Sequence, residues 1–356
     1  MEHIESHTGR FIGSLAPQSV KSATFRFSSK HVLYGRLRPY LNKATAPDFE
    51  GHCSTEIFPI KPSPVVDRHF LLYWLLADET TARINETCSG ARMPRADMNE
   101  VLGFDFPLPP LPEQRRIVAL LDAAVEGIAT ATANAERNLQ NARDLFESHL
   151  AEVFSRRGEG WVETTIGAEI KFIDYRGKTP VKTSSGVRLI TAKNVRMGYL
   201  QANPTEFIAA DSYAGWMTRG IPRKGDVLFT TEAPLANVAQ LDTDERVAFA
   251  QRIIIMQPKA ESLDSTFLKY LLLSQPVQHR IRTKATGATV QGIKASLLKL
   301  VEISFPKSRK TQSEIVDKLG DLHAGTQRLS QIYEQKQGEL VSLKKSLLHQ
   351  AFSGAL

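Results

Sequence analysis

From Pro112 to Arg157 the chain offers one helical pattern, broken by no further proline and by a single glycine, Gly127. Prolines at 107, 109, 110 and 112 end an extended segment in front of it. Pro112 suits a first helical turn, where a missing N–H costs no bond. Apolar residues recur at Ile117, Leu121, Ala124, Ile128, Ala131 and Ala135, then step to Leu139, Ala142, Phe146, Leu150 and Val153. This is a coiled-coil stripe with one stutter near Ala135. At about 1.5 Å per residue the helix is roughly 65 Å long, so it needs a partner along its length.

The partner lies in the same chain. After Phe305-Pro306 and a polar turn, a second stripe runs through Ile315, Leu319, Leu322, Thr326, Leu329, Tyr333, Lys336, Leu340, Leu343 and Leu347, an unbroken alternation of four and three. The two helices end alike, LFESHLAEVFS from 145 and LKKSLLHQAFS from 343, at a shift of 198 residues. Upstream, HVLYGRLRPYLNKA (31–44) matches DVLFTTEAPLANVA (226–239) at a shift of 195. DRHFLLYWLLAD (67–78) matches DSTFLKYLLLSQ (264–275), and SGARM (89–93) matches TGATV (286–290), both at 197. The chain is two copies of one unit.

Each unit reads as short β-like runs (32–34, 56–60; 187–191, 227–230, 252–257) followed by a short apolar helix (70–76; 267–273). A polar loop and a closing strand, Val101 to Phe106 or Leu300 to Phe305, then lead into the long helix. The expected boundaries are a first domain over 1–111, a helix over 112–157, a second domain over 161–306 and a helix over 311–353. The first unit is about 35 residues short, because 66 residues run from Trp161 up to Val227 whereas only 31 precede Val32. Its start, MEHIESHTGRF, aligns with LITAKNVRMGYL (189–200), placing His3-Ile4 on Asn194-Val195. An equivalent of residues 161–180 is therefore expected to be missing, with the true start upstream of Met1.

The net charge is +7, and its distribution is uneven. Residues 161–306 hold 19 Lys and Arg against 13 Asp and Glu, and Ser6 to Pro47 holds seven bases and no acid. Such local basic surfaces suit a phosphate backbone. Two cysteines, Cys53 and Cys88, without CxxC or clustered histidines, support neither a disulfide framework nor a zinc site. No secretory signal opens the chain and no apolar run approaches about 18 residues, so a cytoplasmic protein is expected, with no membrane partner.

The sequence carries no visible catalytic motif. An Asn/Asp-Pro-Pro-aromatic tetrad, a Gly-rich cofactor loop, P-loop spacing and a defensible nucleophile triad are all missing from it. Glu169-Ile170-Lys171 has no acidic partner upstream and reads as a solvated strand edge. Recognition is what remains. The loops SGARMPR (89–95) and TGATVQGIK (286–294) combine glycine with hydroxyls, Gln, Arg and Lys, groups that meet phosphates and base edges. Arg36, Arg38 and Lys43 occupy the places that Thr230, Thr231, Glu232 and Asn237 take in the second unit. The candidate DNA-contacting residues are Arg36, Arg38, Lys43, Arg92 and Arg95 in the first unit. In the second they are Lys171, Arg176, Lys178, Lys193, Asn194, Arg196, Thr230, Thr231, Asn237, Lys284, Thr289, Gln291 and Lys294.

FPLPPLPEQRRIVALLD (106–122) and LLHQAFSGAL (347–356), set around a doubled unit with long helices, resemble the DNA-specificity subunit of type I restriction-modification systems. The resemblance covers nearly the whole chain, although the second copy, FPKSRKTQSEIV, lacks most of the prolines. It implies an α+β fold: two repeated target-recognition domains joined by two long helices packed as an antiparallel coiled coil. It implies a non-catalytic subunit that reads a bipartite, asymmetric site in double-stranded DNA and scaffolds two methyltransferase and two restriction/translocase subunits. No cofactor is expected in this chain; S-adenosylmethionine, ATP and Mg2+ are expected on the partner subunits. Alternatives are the specificity subunit of a type IIB-like restriction-methylation enzyme and a coiled-coil interaction protein with no DNA role.

Overall fold

A computed structural model describes residues 2–13, 22–156, 158–175, 179–287 and 291–356. The chain forms two compact units, one from Met1–Asn138 with Ile332–Leu356 and one from Leu139–Gln331.

In unit 1, β1 (Thr24–Phe27) and β4 (Gly51–Ser54) form an antiparallel pair. β2 (Val32–Gly35) lies between β3 (Ala44–Thr45) and β5 (Ile57–Ile60) in a second sheet. Helix α1 (Arg68–Leu76) is apolar on every side, and Phe70 to Leu76 are all buried. It starts where Asp67 accepts bonds from the His69 and Phe70 amides, satisfying donors that have no partner inside a helix. Helix α2 (Asp78–Glu86), short α3 (Met98–Val101) and the first part of α4 (Leu111–Ser155) follow.

Unit 2 opens with β6 (Trp161–Thr165), a short α5 (Ile166–Glu169) and β7 (Ile170–Asp174). β8 (Val187–Ile190), β9 (Glu206–Ile208), α6 (Tyr213–Trp216), β10 (Val227–Thr230), β11 (Val238–Gln240), β12 (Val247–Phe249) and β13 (Ile253–Pro258) complete its strand-rich part. The main sheet has the order β11-β10-β13-β7, and a second has the order β12-β8-β9. α7 (Ser265–Leu273), α8 (Gln275–Thr283), α9 (Ala295–Lys299) and β14 (Glu302–Pro306) lead into α10 (Arg309–Ser353). Asp264 caps α7 as Asp67 caps α1. Glu169 accepts a bond from the Ser262 hydroxyl beside the edge strand β7.

The joint between each head and its long helix is built twice from one buried amide. Gln114, 0% exposed, accepts from the Asp67 amide at 2.7 Å and donates to the Val65 and Pro109 carbonyls at 2.9 and 2.7 Å. Gln312, also 0% exposed, accepts from the Asp264 amide and donates to the Ser262 and Pro306 carbonyls, all at 2.8 Å. Three of the four polar positions of the Gln114 amide are thus used, and all four of Gln312, whose oxygen also accepts from the Arg309 guanidinium at 3.3 Å.

Within each unit the long helices pair in opposite directions. In unit 1 the start of α4 shares a core with the end of α10, Ile117 and Leu121 with Leu348 and Ala351. In unit 2 the end of α4 meets the start of α10: Leu150 and Phe154 share a core with Leu319, and the Phe146 and His323 rings lie 4.7 Å apart. Along α4 the residues of the stripe, Leu139 and Ile128 among them, are buried or half-buried.

Three expectations need correction. On α10 the stripe is not unbroken: Leu329, Lys336 and Leu343 face solvent, while Ser330, Gln337 and Lys344 turn inward. Two consecutive four-residue steps, Leu322 to Thr326 to Ser330, shift the buried face by one residue, so apolarity misidentified it beyond Thr326. Second, Val101 to Phe106 is no strand in unit 1; α3 and a turn occupy its start, and no described strand pairs with the rest. Its counterpart in unit 2, β14, is a strand because β6 pairs with it. Third, α4 does contain an 18-residue window of mean hydropathy 1.3, long and apolar enough to cross a membrane by composition. Its apolar residues supply the coiled-coil seam, and its Asp122 accepts a bond from the Tyr73 hydroxyl at 2.6 Å.

Candidate nucleic-acid interface

The turn after β2 carries Arg36 to Asn42, with Arg38 and Asn42 at φ 51° and 41°. Left-handed backbone at non-glycine residues is held only where surroundings enforce it. Here the neighbouring loop does so: the Arg38 amide bonds the Pro94 carbonyl, the Ala96 amide bonds the Arg36 carbonyl, and Leu37 and Arg95 form a β-bridge. Loops 36–42 and 89–96 therefore make one surface. Its centre is Glu56, whose carboxylate takes the Arg95 guanidinium at 2.8 to 3.1 Å and lies 3.7 Å from Arg36. The hydrogen bonds from Arg95 hold the Glu56 carboxyl below the usual carboxylate range. Arg38 and Arg92 are exposed, as is Tyr40 on the first loop, and Lys43 is half-buried at the foot of the turn. Arg36 and Arg95 meet this carboxylate, and with Arg38 and Arg92 on the same loops the surface carries an excess of positive charge.

Unit 2 repeats the junction. The Thr231 amide bonds the Arg252 carbonyl as the Arg36 amide bonds that of Glu56, and the Ile293 amide bonds the Thr231 carbonyl as Ala96 bonds Arg36. Glu232 and Gly292 form the β-bridge. Ala233 takes φ 46° where Arg38 takes 51°. The charges are reversed, however: Arg252 pairs with Glu232 at 2.9 Å where unit 1 has Glu56 and arginines. Lys284, Gln291 and Lys294 are exposed around this junction.

The other candidate residues divide by burial. Asn194 is 2% exposed and braces its own loop, accepting from the Thr191 amide and donating to the Gln201 and Pro204 carbonyls. Thr230, 0% exposed, donates to the Pro234 carbonyl, and buried Thr231 to that of Arg252. The Asn237 side chain donates to the Val195 carbonyl. These four polar side chains hold loop shape through bonds to nearby backbone, and Asn194, Thr230 and Thr231 are buried as well. Lys193 is exposed, and Arg196 donates to the Gln201 side chain, on a hairpin closed by the Val195–Leu200 bridge. In unit 1 the Ile4–Phe11 bridge closes a matching hairpin. Lys171 pairs with Gln257, at the far end of β13 from Arg252, and stays outside the cluster. Arg176, Lys178 and Thr289 lie outside the described residues.

Residues that the sequence did not single out also matter: Glu56 and Arg252, each one residue before the strand that flanks the turn, shape these surfaces, and the two glutamines fix the joint below each head. Their signal was repeat position, since 114 and 312 differ by the same 198 as the helix ends. Among the described residues no cluster of three or more His, Cys, Asp or Glu is placed to hold a metal.

Comparison with known proteins gives a consistent picture. The family described as type I restriction modification DNA specificity domain matches residues 39–138 and 170–336. The type I restriction enzyme EcoDI specificity subunit of Escherichia coli is 33% identical over 159 residues, 44% of this chain and 35% of that protein. This chain thus aligns with about a third of that relative's length. The MjaVIII specificity subunit of Methanocaldococcus jannaschii is 20% identical over 85% of this chain and 73% of that one. Two solved structures share the fold across the whole chain. One, from work on complex assembly and conformational transition of the type I R-M system, has a TM-score of 0.82 at 23% identity, covering 90% of that chain. The other, the HsdS subunit from Thermoanaerobacter tengcongensis, has a TM-score of 0.66 at 23% identity, covering 89% of that chain. With more than half of its length matched by one family model and its fold shared with an HsdS subunit, the chain belongs to the type I restriction modification DNA specificity family.

Proposed function

We propose that this chain reads a bipartite, asymmetric site in double-stranded DNA, one half-site per unit. The family is that of the non-catalytic specificity subunits of type I systems. The observation that carries the reading is the duplicated loop junction: the same main-chain bonds in both units present different side chains, Arg36, Arg38, Arg92 and Arg95 in one and Glu232, Arg252, Gln291 and Lys294 in the other. Two equivalent frames with different hydrogen-bonding groups are what two different half-sites require. In this reading the long helices set the spacing of the half-sites and dock two methyltransferase and two restriction/translocase subunits. S-adenosylmethionine, ATP and Mg2+ belong to those partners, this chain binds no cofactor, and the complex works in the cytoplasm.

The test is footprinting of the purified chain with its methyltransferase partner at several salt concentrations. One protected bipartite sequence is expected, with log affinity falling linearly against log salt. Inserting one helical turn into both long helices should alter the spacer and leave the half-sites unchanged. Binding indifferent to salt, or altered half-sites in the insertion variant, would overturn the proposal.

A further inference from the structure

Large soft side chains are unevenly distributed over the surface. The exposed tyrosines and methionines among the described residues are Tyr40, Met93, Met197 and Tyr199, and every other one is buried or half-buried. Tyr40 lies on the turn after β2 and Met93 on loop 89–96, two loops joined by the bond from the Arg38 amide to the Pro94 carbonyl. Met197 and Tyr199 lie on the hairpin closed by the Val195–Leu200 bridge. That hairpin is tied to the turn that follows β10. The Gly198 amide donates to the Val238 carbonyl at 2.7 Å, and the Asn237 side chain donates to that of Val195 at 2.9 Å. Each unit thus presents one tyrosine and one methionine on loops bonded to its junction, but not on the same loops. Leu235, the counterpart of Tyr40 in unit 2, is buried.

The sequence around these four residues is basic or neutral. Residues 36–42, 89–95 and 193–201 contain Arg36, Arg38, Arg92, Arg95, Lys193 and Arg196 and no acid. Lysine and arginine alone would serve the phosphates of DNA. In the major groove the base edges present donors and acceptors and one apolar group, the C5-methyl of thymine. A different use of apolar side chains on DNA is a wedge driven between base pairs. Exposure decides against the wedge here. Tyr40, Tyr199, Met93 and Met197 are 50%, 55%, 45% and 45% exposed, so about half of each is covered by the protein and what remains is a face rather than a projecting tip.

We infer that Tyr40 with Met93, and Met197 with Tyr199, are specificity-determining contacts to thymine methyl groups, one pair for each half-site. The inference rests on the DNA-reading function proposed above and names part of what is read. Each half-site contains at least one A·T pair whose thymine methyl meets these side chains. Tyrosine offers a rigid apolar ring, and methionine a polarisable thioether that adapts to a methyl group without a fixed geometry. The arginines and lysine beside them bond phosphates or guanine, and so do not distinguish thymine. Because the two pairs stand on different loops, the two half-sites place that thymine differently with respect to the junction.

The experiment uses the full chain with its methyltransferase partner and duplexes carrying the sequence found by footprinting. Single thymines are replaced by deoxyuridine, which removes the methyl group and leaves the pairing edge unchanged. In each half-site at least one replacement should weaken binding about fourfold, the effect of leaving one methyl group uncovered. Tyr40→Ser with Met93→Ser should abolish that sensitivity in one half-site and leave it in the other, and Met197→Ser with Tyr199→Ser should do the reverse. All four side chains are exposed, so the melting temperatures of both variants should match that of the native chain. A half-site with no sensitive thymine, a sensitivity that survives in both variants, or one lost from both half-sites in a single variant would each overturn the inference. Salt-dependent protection of a bipartite sequence would stand in those cases, whereas absence of any protected sequence would defeat the proposed function as well.

Discussion

The two loop junctions are the same piece of backbone wearing opposite charges. In unit 1 Glu56 gathers Arg95 and Arg36, and in unit 2 the equivalent position is Arg252, which holds Glu232. Two of the amide-to-carbonyl bonds that frame the junction recur at equivalent residues in both units, as do the glutamine clamps and the capping aspartates below them. What is common is made by backbone, by buried neutral amides and by the capping aspartates. What differs is charged and reaches solvent in part, where a substitution alters partner choice with little effect on folding.

The comparison can be broken first in the coiled coil. Leu121→Ala and Leu319→Ala remove side chains 1% and 0% exposed, one from each unit, and each should cost about 3 kcal/mol in denaturant unfolding. A destabilisation confined to one of them would mean that the two pairings are not energetically equivalent. Next come the clamps. Gln114→Ala and Gln312→Ala each strand an amide and two carbonyls in a buried place, and a cost of about 2 kcal/mol is expected for either, read by thermal melts. Third, Arg38→Ala with Arg92→Ala should weaken DNA binding and lower the slope of log affinity against log salt by about 1 for each phosphate that is no longer neutralised. Thr230→Val, by contrast, should lower stability and leave that slope unchanged.

A smaller effect sharpens the charge reversal. Because Arg95 lowers the Glu56 pKa in the folded chain, the pair stabilises unit 1 fully above the ordinary value of 4.5 and less as pH falls through the lowered one. Amide exchange in 89–96 should therefore quicken in acid, and Glu56→Gln should show the quickened rate already at neutral pH. Smallest of all, Leu329→Ala and Leu343→Ala should each change stability by less than about 0.5 kcal/mol, since both side chains face solvent.

The repeat, the long helices and the equivalence of the loops between the two units were readable from residue order, because periodicity and self-similarity need no knowledge of contacts. What lay beyond reach depended on contacts. Phe104–Pro107 has the composition of a closing strand, but a strand exists only with a partner beside it, and composition does not report the partner. Asn194, Thr230 and Asn237 have the hydrogen-bonding groups of a DNA reader, and only the fold reveals that backbone carbonyls already take them. Leu329 and Leu343 look like seam residues until the two four-residue steps before Ser330 rotate them outward. Glu56 and Arg252 were overlooked because a lone charge beside a strand usually marks an ordinary solvated surface.

The hydrogen bonds from Gln114 and Gln312 to their heads run to carbonyl oxygens and one amide hydrogen each. Such a mount does not recognise which side chains the head carries. Any loop that brings its carbonyl and capping residue to the same two places can be seated on the same helix. This part of the fitting is therefore indifferent to cargo, and the dependence on the head's own side chains falls to contacts such as Tyr73 with Asp122 and Phe70 with Phe352.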